Sequence, residues 1–251
     1  MTATPDTTPD ATPDVVVQPT ADELAASTAD RTSAVLAAAI NERGEAHLVV
    51  TGGGILERVL AELAPRADAL DWGRVHVWWG DERFVAADSD DRNDLPALAK
   101  LFDLVPVDPA KLHRMPNADE FDTAEAGADA YEAALHEAGG GEVPAFDVIL
   151  LGLGPDGHCA SLFPGHPGTE VTGRAVIAVH DSPKPPPDRL SLTFEGLDAA
   201  REIWLIASGD GKAEAVAKAV GGDVSLPSAR VRGRERTVWL LDEDAAGRLA
   251  D

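Results

Sequence analysis

Phe146-Asp147-Val148-Ile149-Leu150-Leu151-Gly152-Leu153-Gly154-Pro155-Asp156-Gly157-His158-Cys159-Ala160-Ser161-Leu162-Phe163-Pro164-Gly165 is the stretch that decides the fold. The unbroken apolar run from Val148 to Leu151 predicts a buried strand, because no polar alternation marks a solvent face. It runs straight into glycines, a proline, an aspartate and a histidine. Holding such a loop in one conformation is entropically costly. In open α/β sheets, a buried strand that spills into a polar, glycine-rich turn is where the chemistry sits. His158 is therefore the first catalytic candidate, and Asp156, two residues earlier, is placed to orient the imidazole or a water.

Strands and helices alternate on either side of this stretch. Upstream, Thr20 caps a helix with Asp22 and Glu23 in its first turn; Leu24, Ala34, Val35, Ala38 and Ala39 form its apolar face, and Gly44 ends it. Ala46 to Thr51 is a β-rich run followed at once by Gly52-Gly53-Gly54 and a helical pattern from Ile55 to Leu63. Strand, glycine turn, helix points backbone N–H groups at an anion, although three glycines alone are equally a tight turn that binds nothing. The next strand, Arg74 to Trp79, ends in Gly80-Asp81-Glu82-Arg83, and Asp91-Arg92-Asn93 opens a helix through Phe102. The charges at 81–83 read either as a solvated turn or as groups kept near Trp78, Trp79 and Phe84 because they are paired or used. Arg83 suits a bidentate contact with phosphate or carboxylate, or an internal pair with Asp81 or Glu82. A further helix spans Thr123 to His136.

Downstream, Ala175 to Val179 is a strand, Ser182-Pro183-Lys184-Pro185-Pro186-Pro187 is a stiff segment outside any sheet, and Leu190 to Phe194 alternates as a strand. Glu202 to Ser208 is a buried strand that passes through Gly209-Asp210-Gly211-Lys212 into a helix from Ala213 to Val220. A lysine at the mouth of a strand-to-helix turn is an arrangement that holds phosphate. The last strand is Thr237 to Leu241, and a terminal helix starts at Asp242. The alternation predicts a three-layer α/β/α fold with a mostly parallel, Rossmann-like sheet and helices on both faces. The Thr/Pro/Asp-rich residues 1–19 read as a disordered tail, leaving residues 20–251 as one α/β domain.

The totals narrow the function. Net charge is −23, from 44 acidic and 21 basic residues, which disfavours nucleic acid and anionic membranes as partners. A small anionic substrate remains possible, since a few basic groups converging on one cleft hold phosphate whatever the remaining surface carries. No apolar run is long enough to cross a bilayer, and the N-terminus lacks the basic and apolar regions of a signal peptide. Cys159 is the only cysteine, so no intramolecular disulfide forms and a reducing cytoplasm is expected. A thiol beside the histidine is a nucleophile in principle, but adjacent residues rarely point the right way, and Cys159 is read as packing. The other histidines (His47, His76, His113, His136, His166 and His180) show no metal-ligand spacing, and no metal is expected.

Four separated motifs resemble one family in order and spacing. Thr51-Gly52-Gly53-Gly54, Gly80-Asp81-Glu82-Arg83, the Gly152 to Pro164 stretch and Gly211-Lys212-Ala213 are similar to those of 6-phosphogluconolactonases, and Arg189-Leu190-Ser191-Leu192-Thr193 resembles that family's arginine-bearing strand. The resemblance spans about residues 20 to 245 and implies hydrolysis of 6-phospho-D-glucono-1,5-lactone to 6-phospho-D-gluconate, without metal or organic cofactor. It further implies a phosphorylated sugar lactone as the partner and a monomer or weak homo-oligomer. The chain departs from the family at Gly54-Ile55, where a serine or threonine usually follows the glycine pair, and at Cys159, where threonine is usual. Losing that hydroxyl shifts more of the phosphate grip to backbone N–H groups.

Lactone hydrolysis needs an activated water, relief of charge on the carbonyl oxygen, and a proton for the departing ring oxygen. Neutral His158 suits the first and last tasks, with Asp156 orienting it. A loop N–H or Arg83 is expected to meet the oxyanion. The amides of Gly53 and Gly54 with Arg189 and Lys212 are expected to hold the phosphate, and Gly52, Asp81, Asn93 and Gly157 complete the expected substrate contacts. Two alternatives stay open: a glucosamine-6-phosphate deaminase-like isomerase, which needs carboxylates at C1 and C2, and a non-catalytic sugar-phosphate sensor.

Overall fold

The computed structural model describes residues 14–249. Seven strands form one entirely parallel sheet: β1 (Asp14–Gln18), β2 (Ala46–Val50), β3 (Val75–Trp79), β5 (Leu112–His113), β6 (Val148–Gly152), β9 (Glu202–Ala207) and β10 (Arg236–Asp242). The spatial order is β1-β10-β9-β6-β2-β3-β5. Three further strands, β4 (Asp81–Arg83), β7 (Val176–Val179) and β8 (Arg189–Leu192), make a small antiparallel sheet in the order β4-β8-β7. The helices are α1 (Ala21–Arg43), α2 (Gly54–Leu63), α3 (Asp94–Ala97), α4 (Ala124–Ala138), α5 (Phe194–Leu197), α6 (Ala213–Val220) and α7 (Glu243–Ala246), with a π turn at Leu98–Phe102. All five residues of β2 and the first four of β6 are buried, as strands covered on both faces require.

Adjacent tryptophans on β3 show the layering, because successive strand side chains point to opposite faces. Trp78 meets Tyr131 of α4 edge-on, with centroids 6.0 Å apart, and Trp79 meets Phe102 at 5.8 Å on the other side. The predicted α/β/α sandwich with a mostly parallel sheet is therefore the observed one.

Two local readings are corrected and one open alternative is decided. The tail expected over residues 1–19 is not a tail at Asp14–Gln18, where Val15, Val16 and Val17 pair in parallel with Trp239, Leu240 and Leu241 of β10. The remainder of that segment, residues 1–13, lies outside the described residues. On α1, Thr20 does cap the helix, accepting from the Glu23 N–H at 3.2 Å, and Gly44 ends it with φ 86°. Its buried stripe, however, includes Leu24, Ala25, Thr28, Ala29, Thr32, Leu36 and Ala39, while Ala34 and Ala38 face outward. The charges at 81–83 are not a solvated turn but the strand β4.

The site follows from where the sheet order reverses. The chain proceeds from β2 to β3 and β5 in one direction, then returns at β6 and builds β9 and β10 in the other. A crevice opens between the carboxyl ends of β2 and β6, the position at which open α/β sheets bind ligands. Thr51 ties its two sides together, donating to the Leu150 carbonyl at 3.0 Å and accepting from the Gly152 N–H at 3.1 Å.

Candidate active site

The crevice is a cleft of 620 Å³ bounded by the turns after β2, β6 and β9 and by the small sheet. From the sequence-predicted site it brings together Gly52, Gly53, Gly54, Asp81, Arg83, Asn93, His158, Arg189 and Lys212. Asp156 stands behind His158, and Gly157 is not a lining residue. The Gly157 N–H is spent on the Gly154 carbonyl at 2.9 Å and its carbonyl accepts from Ser228 at 3.1 Å. With φ 81°, Gly157 shapes the turn and, contrary to expectation, does not face the substrate space.

One tight turn brings His158 and Asp156 together. Gly157 in the left-handed region lets the chain fold back so that the Gly154 N–H donates to the His158 carbonyl at 2.9 Å. His158 Nδ1 then lies 2.5 Å from Asp156 Oδ1. A Cβ on Gly154 would collide with both side chains, so that glycine makes room for the pair. An ionised carboxylate is acceptor-only, so Nδ1 carries the proton and Nε2 keeps its lone pair. Burial lowers the His158 pKa below the usual imidazole value, against the upward pull of Asp156 and of the more distant Asp81. The imidazole is thus neutral near pH 7, the form a general base requires. Phe163 packs against the ring with centroids 4.6 Å apart. Cys159 is fully buried and its thiol is pushed up by burial, so it has neither the access nor the thiolate of a nucleophile.

The other side of the cleft holds a set of cations bound by carbonyls. In the β4–β8 register Arg83 lies directly opposite Arg189. Arg189 is 4% exposed and donates from Nε to the Pro186 carbonyl and from Nη2 to the carbonyls of Lys184 and Pro185, leaving Nη1 uncommitted. Burial lowers its pKa. Arg83 donates from Nη1 to the Asp91 carbonyl at 2.5 Å, and neither arginine has a carboxylate partner among the described residues. The expected alternative, an ion pair of Arg83 with Asp81 or Glu82, is absent among the described residues. Lys212 donates to the Leu153 carbonyl at 2.7 Å, and burial lowers its pKa, helped by the nearby Lys184. Carbonyls orient these groups without neutralising them, and uncompensated buried charge favours an incoming anion. The N-terminus of α2 faces the same space. Its N-cap, Gly53, has φ 129° and no side-chain cap, and Gly54 and Ile55 line the cleft.

Two supporting features lie outside the expected site residues. Glu82 is fully buried and accepts from the N–H groups of Arg83 at 2.7 Å, Asn93 at 2.7 Å and Asp94 at 2.9 Å. Burial, with Asp94 nearby, pushes its pKa up to about 7, against the pull of Arg92 and these donors. Asp94 in turn receives Arg92 at 2.6 Å and Arg114 at 2.8 Å. The network presses Asn93 onto Gly52, where a Cβ would strike its amide. Asp81 accepts from Ser161 at 2.7 Å, fixing one oxygen and turning the carboxyl toward the cleft it lines. The second missed feature is Lys184. The proline-rich run was read as a stiff spacer, yet it bends over the cleft and lays this lysine against the His158–Asp156 pair. Its one signal was being the only basic residue in that run.

At the opposite end of the sheet, Glu45, His47 and His76 bring ligand-type atoms within 4.8 Å of one another. Trp78 Nε1 donates to His47 Nδ1 at 3.2 Å, which leaves the His47 proton on Nε2, facing Glu45. The His47 and His76 rings stack at 4.6 Å with planes 12° apart, so their lone pairs run side by side and do not converge. This donor set does not fit a metal ion.

Comparison with known proteins gives the family. The family described as glucosamine-6-phosphate isomerases/6-phosphogluconolactonase matches residues 19–239. A 6-phosphogluconolactonase of Streptomyces coelicolor is 50% identical over 217 residues, covering 82% of this chain and 83% of that protein. One from Mycobacterium tuberculosis is 45% identical, covering 92% and 96%. Among solved structures, a 6-phosphogluconolactonase from Thermotoga maritima superposes with a TM-score of 0.82 at 25% identity, covering 91% of this chain and 99% of that one. A monomeric glucosamine-6-phosphate deaminase shares the fold, with a TM-score of 0.77 at 24% identity. The match over residues 19–239 and relatives at 45% and 50% identity show that the chain belongs to the glucosamine-6-phosphate isomerase/6-phosphogluconolactonase family.

Proposed function

We propose that this protein hydrolyses 6-phospho-D-glucono-1,5-lactone to 6-phospho-D-gluconate, in the oxidative branch of the pentose phosphate pathway. The observation that carries the reading is a neutral, carboxylate-oriented imidazole sharing one cleft with cations that only carbonyls hold. Relatives named 6-phosphogluconolactonase at 45% and 50% identity support the same substrate.

His158 Nε2 takes a proton from the water that attacks C1. The charge that develops on the carbonyl oxygen meets Arg83 or a loop N–H group. As the C1–O bond to the ring oxygen breaks, the imidazolium returns its proton to that oxygen, so the reaction consumes one water and regenerates the base. Asp156 stabilises the imidazolium and fixes its tautomer, a role worth a substantial part of the ~10²–10⁴-fold that a positioned base contributes. The uncommitted N–H groups of Arg189 and Lys212 and the amides of Gly53 and Gly54 hold the 6-phosphate. Asp81 and Asn93 face the sugar between the two ends. No step calls for a metal or an organic cofactor, and the chain acts in the cytoplasm as a monomer or weak homo-oligomer.

The test couples lactone opening to a dehydrogenase that consumes 6-phosphogluconate, with fresh lactone and a correction for spontaneous opening. Acceleration by the purified protein is expected. Release of ammonia from glucosamine 6-phosphate without lactone hydrolysis would overturn the reading in favour of the deaminase chemistry.

A further inference from the structure

Lys184 Nζ lies 3.3 Å from Asp156 Oδ1 and 3.2 Å from His158 Nδ1, so one carboxylate oxygen is shared by an imidazole N–H and an ammonium. The approach is built in. Ser182 Oγ donates to the Lys184 carbonyl at 2.9 Å and accepts from its N–H at 3.3 Å, closing a small ring at the start of the proline run. Arg189 grips the same carbonyl at 2.9 Å. The backbone of Lys184 is thereby pinned from two sides. Its side chain is 39% exposed and has one ion-pair partner among the described residues, Asp156.

We propose that Lys184 is a positioning residue that acts through the His158–Asp156 pair, holding the imidazole in its proton-accepting form and hastening return of the proton to the leaving oxygen. This rests on the lactonase reading and deepens it. An ammonium beside Nδ1 opposes a second positive charge on the ring. In the resting enzyme it keeps Nε2 unprotonated and available. After water has given up its proton, the same repulsion makes the imidazolium a stronger acid, which favours protonating the ring oxygen. By sharing Oδ1, Lys184 also keeps the Asp156 carboxylate ionised and limits how strongly it can raise the basicity of its partner. The two neighbours thus pull the imidazole in opposite directions: Asp156 toward the charged form, Lys184 toward the neutral form. Asp81, more distant, adds to the pull of Asp156, while Lys212 faces the Asp156 side and Phe163 contributes only an apolar face.

The experiment needs no substrate in its first arm. Proton NMR titration of His158 in the full-length protein, assigned by its loss in His158→Gln, is compared among wild type, Lys184→Met, Lys184→Arg and Asp156→Asn. Removing a unit charge at this range raises the midpoint by about one pH unit in Lys184→Met. Lys184→Arg stays near wild type, and Asp156→Asn moves the midpoint down. In the second arm, the acidic limb of kcat for the lactone follows the same order. An unmoved His158 midpoint in a folded Lys184→Met overturns the inference, as does an effect confined to KM, which would make Lys184 a substrate ligand. Failure of the lactonase reading shows differently: the NMR order holds while no variant, nor wild type, accelerates lactone opening.

Discussion

At the carboxyl end of the sheet one imidazole faces a cleft; at the amino end three are stacked beside an indole. His158 and the group His47, His76 and His113 all have pKa values lowered from the ordinary imidazole value, and burial is the first cause in each. A depressed pKa therefore does not separate catalyst from scaffold. Partners do. His158 has a carboxylate on Nδ1 and an ammonium beside it, with Nε2 left free. In the stack, Trp78 occupies His47 Nδ1, His113 Nε2 meets His76 Nδ1 at 3.0 Å, and His113 lies on Trp78 with centroids 3.6 Å apart. Each of those rings has at least one nitrogen paired within the group.

The largest expected effect contrasts the two ends directly. His158→Ala should lower kcat about a hundred- to ten-thousandfold, while His76→Ala leaves kcat within about twofold in the coupled assay. A comparable loss from both would erase the distinction. Gly154→Ala sharpens it by changing no functional group: the added methyl collides with His158 and Asp156, and a displaced base should cost kcat up to about a hundredfold. The same substitution at Gly73, distant from the pair, provides the comparison, and equal activity in both variants would refute the packing argument.

Lys212→Ala should weaken the phosphorylated lactone by about ten- to a hundredfold in KM and leave unphosphorylated gluconolactone unaffected. Loss of both to the same degree would remove Lys212 from phosphate recognition.

The smallest effect lies in stability. Burial holds His47 and His113 at about 4, whereas the unfolded chain protonates them near 6.5. Between those values the unfolded state binds more protons, so stability is present above pH 6.5 and lost as pH falls toward 4. Each imidazole adds at most about 1.4 kcal/mol per pH unit to that slope. His113→Phe, which keeps a ring on Trp78, should flatten the denaturation curve in this window, measured by urea titration at several pH values. Parallel wild-type and variant curves would contradict it.

What is legible in the sequence follows the range of the interactions. The apolar runs of β2, β6 and β9 and the glycine turns after them are local signals that mark His158 and Lys212, whereas Arg189 stands out only through the resemblance of its strand to that of the family. β1 has a triplet of valines in a Pro/Asp-rich context, and only the edge of β10 makes it a strand. β4 is three charged residues with no apolar pattern; pairing with β8 alone reveals it. On α1, Thr32 is tolerated in the buried stripe because its hydroxyl donates to the Thr28 carbonyl at 2.8 Å, an arrangement that reads as polar in one dimension. The histidine stack was invisible for the same reason: its members meet only once β2, β3 and β5 are in register.

The edge strand β1 imposes an order on how the chain is completed. Its pairing joins residue 14 to residue 238, nearly the full span of the polypeptide. During synthesis the valines emerge before every other described strand and must wait until β10 has left the ribosome. Contacts this distant in sequence are entropically late, so the segment clips onto a sheet whose other strands already stand. For all that time an apolar triplet travels without its partner, flanked by prolines and aspartates that resist premature strand pairing. The composition that made this stretch look like a tail is, on this view, what keeps it harmless until its place exists.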